Sequence, residues 1–378
     1  MFKKPFILTS TFIAATIFSS SAHAESQDFK QVYVFGNSIS DTGNVYSLTG
    51  NNFPPSPLYF DGRFSDGPVW VDFLAQDSKL GLNPGNFYEF ATDPNPDPSM
   101  LAEGINFSIG GATTGTTTLG DVPSANPPIL FPGVETQIND FLNDVLQGNP
   151  ISDDSLVLYW AGENDYAAEL LMGKTPEQIN PQDIVDNVTS HATRLAEQGA
   201  KNVVIANLFD LDSVPLGQDL AAGIGFDPAK LNELTVEHNN LLSDEISTLN
   251  ASFADTTFVT FDINTLLSDI IDNPASFGIN LEQGKTPFDS CLDPNSFPNI
   301  DPNVQRCANP DQYVYYDNQH FTSAVHKIIA DNLYETIEEE MSNNPNITVP
   351  EAGNTVGIIG LGLGMLTLLK RKKAHFSK

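Results

Sequence analysis

Five short runs of β-branched and aromatic residues, 32–35, 105–109, 155–160, 202–208 and 256–261, recur along the 378-residue chain with almost no alternation of apolar and polar positions. Strands of that kind have no solvent-facing side, so both faces must be covered, as in a parallel sheet held between helices. Helical patterns fill the gaps. In 134–147, Val134, Ile138, Phe141, Leu142 and Val145 fall on one face of a helix. The segment 183–199 ends on Gly199, and 228–249 opens on Pro228, which suits a first helical turn, and carries Leu231, Leu234, Leu241 and Leu242. A last helix is predicted over 322–341. Strand and helix in alternation predict a doubly wound α/β domain over 25–345. The Pro-, Asp- and Asn-rich stretches 90–100, 120–133 and 273–312 are too long for tight turns and read as loops over the sheet's edge or active face.

In open α/β sheets, ligands bind beyond the carboxyl ends of the strands. The residues that follow each strand are therefore the candidate site. Gly36-Asn37-Ser38 follows the first, Gly110-Gly111-Ala112-Thr113-Thr114 the second and Ala161-Gly162-Glu163-Asn164-Asp165 the third; Asp317-Asn318-Gln319-His320 precedes the final helix. A serine after a strand serves more often as a helix cap than as a nucleophile, but the four segments together suit acyl transfer. Ser38 as nucleophile needs a base within hydrogen-bond reach. His191 and His238 fall inside helical patterns and read as solvated or core-edge residues, and His326 lies within the last helix without a carboxylate partner. His320 has Asp317 three residues before it, close enough to hold the imidazole tautomer and stabilise the imidazolium. Gly110 and Gly111 allow close backbone approach. The Asn164 amide can donate to an oxyanion beside the N–H of Ser38 and of one of those glycines.

The two ends read as processing segments. Residues 1–24 join Lys3 and Lys4, an apolar run and Ala22-His23-Ala24, the pattern of a secretory signal peptide. Residues 346–378 hold Val349-Pro350-Glu351-Ala352, a short apolar run over 355–369 and Lys370-Arg371-Lys372-Lys373. That run falls short of the roughly 20 residues that span a bilayer. It resembles the PEP-CTERM sorting tail of Gram-negative surface proteins, with Ala352 where a second proline is usual; a simple membrane anchor is the alternative. The expectation is a secreted or cell-surface protein that passes through the periplasm and meets sorting and processing machinery at the membrane. The net charge is −31, and seven of the 17 basic residues lie in the two end segments (Lys3, Lys4, Lys370, Arg371, Lys372, Lys373, Lys378), so the body is more acidic still. Such a surface repels nucleic acid. In an exported chain the only two cysteines, Cys291 and Cys307, most simply pair as a disulfide; neither has a second ligand at metal-site spacing, and no metal is expected.

Seven blocks, spread over nearly the whole body, resemble the GDSL (SGNH) hydrolase family in the family's order. They are F-G-N-S-I-S-D-T-G-N at 35–44, G-R-F-S-D-G-P-V-W-V-D-F-L-A at 62–75 and N-F-S-I-G-G-A-T-T at 106–114. Then come Q-I-N-D-F at 137–141, G-E-N-D at 162–165, H-N-N-L-L at 238–242 and D-N-Q-H-F-T at 317–322. The resemblance implies a flavodoxin-like three-layer fold with a mainly parallel five-stranded sheet, and hydrolysis of esters or acyl groups without metal or other cofactor. It puts the nucleophile on Ser38, the Asp and His on Asp317 and His320, the oxyanion asparagine on Asn164 and the oxyanion glycine on Gly111 or Gly110, with spacing from Asn106 favouring Gly111. Two positions depart from the pattern: Asn37 replaces the Asp usual before the nucleophile, and Phe321 replaces the Pro usual after the histidine.

The leading reading is an exported serine ester hydrolase. Alternatives are a lipase, lysophospholipase or acyltransferase acting on lipids, an esterase removing acetyl groups from a polysaccharide, and a non-catalytic surface-displayed binding protein. Phe53, Pro54, Pro55, Leu58, Tyr59 and Phe60 are candidates for the lining of an acyl pocket, or else ordinary core beneath a loop.

Overall fold

In the computed structural model, residues 29–342 are described, apart from 77–78, 94, 96, 120–130 and 293–303. The two end segments read as processing signals, 1–24 and 346–378, lie outside the described residues. Six strands, β1 (Gln31–Gly36), β2 (Gly85–Asn86), β3 (Gly104–Asn106), β4 (Ser155–Trp160), β5 (Asn202–Ala206) and β6 (Thr257–Phe261), form one sheet in the order β2-β3-β1-β4-β5-β6. Every neighbouring pair is parallel. The sheet therefore has one strand more than the five expected. The extra strand is a two-residue edge made of Gly and Asn, poor strand formers with no apolar pattern to read.

The strands are buried on both faces, as their composition demands: all six residues of β4 are inaccessible. Even positions Val32, Val34, Leu156, Leu158, Trp160 and Val204 feed one core, while odd positions Tyr33, Phe35, Val157, Tyr159, Val203 and Ile205 feed the other. Helices cover both. The helices are α1 (Asn44–Leu48), α2 (Trp70–Leu74), α3 (Phe87–Thr92), α4 (Val134–Asp140), α5 (Glu163–Leu171), α6 (Pro181–Glu197), α7 (Pro215–Ile224), α8 (Ala229–Ser252), α9 (Ile263–Asp272) and α10 (Ser323–Ser342). The predicted helix over 134–147 is α4 followed by a wider π-helical turn, Phe141–Leu146, that ends on Gln147 with φ +51°. Caps follow the expected chemistry: Asn180 accepts the Gln182 N–H and Pro181 opens α6, while Asp262 accepts the Thr265 N–H at α9.

His191 and His238 are not solvated or core-edge residues. His191 is buried between the Tyr159 hydroxyl at 3.0 Å and Glu135 at 2.8 Å. His238, buried on α8, shares a 3.0 Å hydrogen bond with the Tyr166 hydroxyl of α5. Burial pushes the His238 imidazole down to about 4, so it stays neutral where the unfolded chain, near 6.5, takes up a proton. The stability this contributes is complete above pH 6.5 and is lost as the pH falls toward 4, at roughly 1.4 kcal/mol per pH unit. Buried Asp41 and Asp165, raised to about 6 and about 7 by burial, work in the opposite direction over the same range. Replacing His238 with Gln should therefore narrow the gap in unfolding free energy between wild type and variant by about 2 kcal/mol from pH 7 to pH 5. Urea unfolding at the two pH values measures this; a gap that does not change with pH would remove His238 as the titrating group.

Candidate active site

Two strand ends and one distant loop bring the reactive side chains together. Ser38 stands two residues beyond β1, almost wholly buried, with Oγ 2.9 Å from His320 Nε2. On the other side of the ring, His320 Nδ1 lies 2.7 and 2.9 Å from the two carboxylate oxygens of Asp317. The backbone N–H groups of Gln319 and His320 also donate to Asp317 Oδ1, and the Tyr59 hydroxyl donates to Oδ2 at 2.7 Å. Burial alone would raise the Asp317 pKa, but the facing imidazole and these hydrogen bonds hold it below the usual carboxylate range. Burial and the Asp317 charge push the Tyr59 phenol strongly upward, which keeps it a donor.

The backbone around Ser38 is fixed by side chains whose roles the sequence does not reveal. Gln137 Oε1 accepts the Gly36 N–H and its Nε2 donates to the Gly36 carbonyl, closing off the end of β1. Asn106 Nδ2 donates to the Ser40 carbonyl and to the Thr42 hydroxyl. Fully buried Asp41 accepts from the N–H groups of Gly43, Asn44 and Gly110. That last bond distinguishes the two glycines, since it engages the Gly110 N–H at 3.0 Å. Gly111 adopts φ +80°, a conformation that favours glycine, and its N–H has no protein acceptor among the described residues. Asn164 sits in the first turn of α5, reached through Gly162 at φ +136°, and one amide N–H donates to the Ala112 carbonyl at 3.0 Å, leaving the other.

Ser38, Asn164 and His320 line one pocket. One side of its wall is aliphatic, with Leu170 from α5, Leu211 and Val214 before α7, Leu216 and Leu220 on α7, and Leu231 on α8; Asn37, Glu163, Gln319, Tyr166 and Phe209 also line it. None of the six residues from Phe53 to Phe60 named as candidates for an acyl pocket lines it. Tyr59 instead packs on Phe64 and Tyr316, Phe53 packs on Phe64, and Phe60 is exposed with the Arg63 guanidinium over its ring. Phe321, where a proline is usual, is buried against Tyr315 and Phe209. His326 is buried and accepts the Trp70 N–H at 3.3 Å; burial, then the neighbouring His320, pushes it down to about 3. Cys291 and Cys307 are joined in a disulfide, and the Cys291 and Leu292 N–H groups donate to the carbonyls of Tyr315 and Tyr316. No group of three or more His, Cys, Asp or Glu side chains among the described residues is placed to hold a metal ion.

The fold and this site define an enzyme of the carboxylic ester hydrolase class. The model of the GDSL-like lipase/acylhydrolase family matches residues 32–333, and the chain belongs to that family. GDSL esterase/lipase EXL2 of Arabidopsis thaliana is 28% identical over 338 residues, covering 80% of this chain and 87% of its own. Acetylajmalan esterase 2 of Rauvolfia serpentina is 28% identical over 347 residues, 83% and 91%. The phosphatidylcholine-sterol acyltransferase of Aeromonas hydrophila is 28% identical over 280 residues, 74% and 70%. Among solved structures, an acetylxylan esterase from Geobacillus stearothermophilus matches over 82% of this chain and 94% of its own, at 12% identity and a TM-score of 0.40.

Replacing Tyr59 with Phe removes a hydrogen bond to a buried charge while keeping the ring. It should lower kcat about tenfold, equivalent to about 1.4 kcal/mol, with KM little changed. Steady-state kinetics beside a melting curve tests this, and an unchanged kcat would make the Tyr59 donor dispensable.

Proposed function

We propose that this protein is an exported serine hydrolase that cleaves esters of aliphatic acids through Ser38, His320 and Asp317. The observation that carries the reading is the unbroken hydrogen-bonded series Ser38–His320–Asp317 opening into an aliphatic pocket. Ser38 Oγ attacks the ester carbonyl carbon while His320 Nε2 takes its proton. Asp317 holds the Nδ1–H and stabilises the imidazolium. The tetrahedral oxyanion accepts from the Ser38 and Gly111 N–H groups and from the second Asn164 amide N–H. His320 returns the proton to the departing alkoxide, leaving the acyl group on Ser38. Water, deprotonated by His320, then attacks the acyl-enzyme, releasing the carboxylic acid and restoring the serine. Gly111 is preferred to Gly110 because Asp41 already holds the Gly110 N–H.

The aliphatic wall favours an acyl chain over acetyl, and the match to an acyltransferase named for phosphatidylcholine supports a lipid ester as substrate. Export rests on the N-terminal segment and is supported by the disulfide; the hydrolase domain over 25–345 between two processing segments belongs to the same proposal.

Hydrolysis of p-nitrophenyl esters from acetate to palmitate by the full chain tests the reading. Ser38→Ala should lose at least roughly 10³-fold in kcat. Each methylene that enters the pocket is worth about 0.8 kcal/mol, so kcat/KM should climb several-fold per carbon beyond acetate before levelling. An optimum at acetate would overturn the aliphatic-acyl assignment, and a silent wild type would overturn ester hydrolysis itself.

A further inference from the structure

Asn37 and Glu163 face each other in the wall of the pocket beside Ser38 and Asn164. Asn37 is buried, and its Oδ1 accepts the Ile39 N–H at 3.0 Å. Its Nδ2 therefore faces Glu163 and donates to Oε2 at 2.7 Å. The other carboxylate oxygen, Oε1, accepts the Trp160 indole N–H at 2.5 Å. Both donors are N–H groups that cannot accept, so the hydrogen bonding at Glu163 fits an ionised carboxylate and an amide at position 37, and it offsets part of the burial that raises the Glu163 pKa. Glu163 is the first residue of α5, directly before Asn164, and Trp160 is the last residue of β4.

We infer that Glu163 is a positioning residue for the reaction, joining the turn that carries Ser38 to the helical turn that carries Asn164 through its bonds to Asn37 and Trp160. The inference rests on the hydrolase reading above. The pair fixes two groups that must act on one carbonyl: the nucleophile with its own N–H, and the oxyanion amide. A misplacement of about 1 Å between such groups can cost on the order of 10² in rate. The pair also accounts for the asparagine at a position where a carboxylate is usual. An aspartate there would still accept the Ile39 N–H, but its second oxygen would face a Glu163 oxygen, two like charges in a poorly solvated wall.

Polarity is the testable property. In Glu163→Gln, the nitrogen of the new amide must face either the Asn37 amide or the Trp160 indole, donor against donor. In Asn37→Asp, carboxylate faces carboxylate. In the double variant Asn37→Asp/Glu163→Gln every group is satisfied again with the pair reversed. The introduced amide accepts the Trp160 indole N–H on its oxygen and donates from its nitrogen to the introduced carboxylate. The second oxygen of that carboxylate keeps the Ile39 N–H.

The experiment measures kcat, KM and melting temperature for wild type, Ser38→Ala, both single variants and the double variant on the best p-nitrophenyl ester. Each single variant should lose about tenfold or more in kcat with KM changed by less than about twofold, and the double should return to within about threefold of wild type. A single variant that fails to fold while the double folds and turns over is the same rescue. Losses that add in the double, a double that does not fold, or an Asn37→Asp enzyme as fast as wild type overturns the pairing. A silent wild type sinks the hydrolase reading instead. An active wild type silenced by Ser38→Ala, with additive variants, sinks only the role of Glu163.

Discussion

A fully buried carboxylate stays charged only where the protein supplies the donors that water would have supplied, and Asp317 sets that requirement for the whole site. Its donors come from two parts of the chain: the Gln319 and His320 backbone and the His320 ring close by, and the Tyr59 hydroxyl 258 residues away. Satisfying Asp317 therefore docks the segment between α1 and α2 against the loop before α10. The Tyr59 ring is fully buried and packs edge-on against Tyr316, whose own hydroxyl donates to the Leu58 carbonyl. Cys291 and Leu292 lie in the same small cluster and bond to the backbone of Tyr315 and Tyr316. The disulfide thus braces the strip of chain that leads into Asp317. Closing a 16-residue separation of this kind limits the unfolded chain by an amount worth roughly 3 kcal/mol on the entropy account.

A second buried carboxylate does the matching task on the other side of Ser38. Asp41 collects backbone N–H groups from its own turn and from Gly110, so it ties the nucleophile turn to the glycine loop. Burial outweighs those hydrogen bonds and leaves its pKa raised to about 6. The site is thus framed by two acids held in opposite electrostatic senses: one kept ionised by an imidazole across from it, the other pushed toward its neutral form by burial.

What can be read from the sequence and what cannot divide along a physical line. Unalternating apolar strands announce a sheet covered on both faces, and polar or glycine residues just past such strands must face the ligand side; Ser38, Gly111 and Asn164 are visible for that reason. Asp317 and His320 are visible because their contact is local, three residues apart. Tyr59 reads in the sequence as either pocket lining or core beneath a loop, and neither reading shows its tie to Asp317, since a hydroxyl aimed at a carboxylate 258 residues away leaves no mark in its own neighbourhood. The real pocket wall escapes with α7, a ten-residue helix whose Leu216 and Leu220 show no long period to detect. Glu163 reads as one residue in a loop, because its meaning lies in a bond across 126 residues to Asn37. Edge strand β2 escapes for the simplest reason: two residues, one of them glycine, carry no pattern at all.

Ser38 and His320 are 282 positions apart, and β1, which presents the serine, pairs with β3 and β4 in the interior of the sheet. At ribosomal rates of about 5–20 residues per second, roughly 15–60 s separate the emergence of the two groups. Throughout that interval the growing chain carries a serine with no base beside it, a chemically inert hydroxyl. On the proposed reading, reactivity toward esters is thus the last property the chain acquires. Clipping the final tenth of the body would return it to that unarmed condition while leaving all six strands of the sheet in the chain.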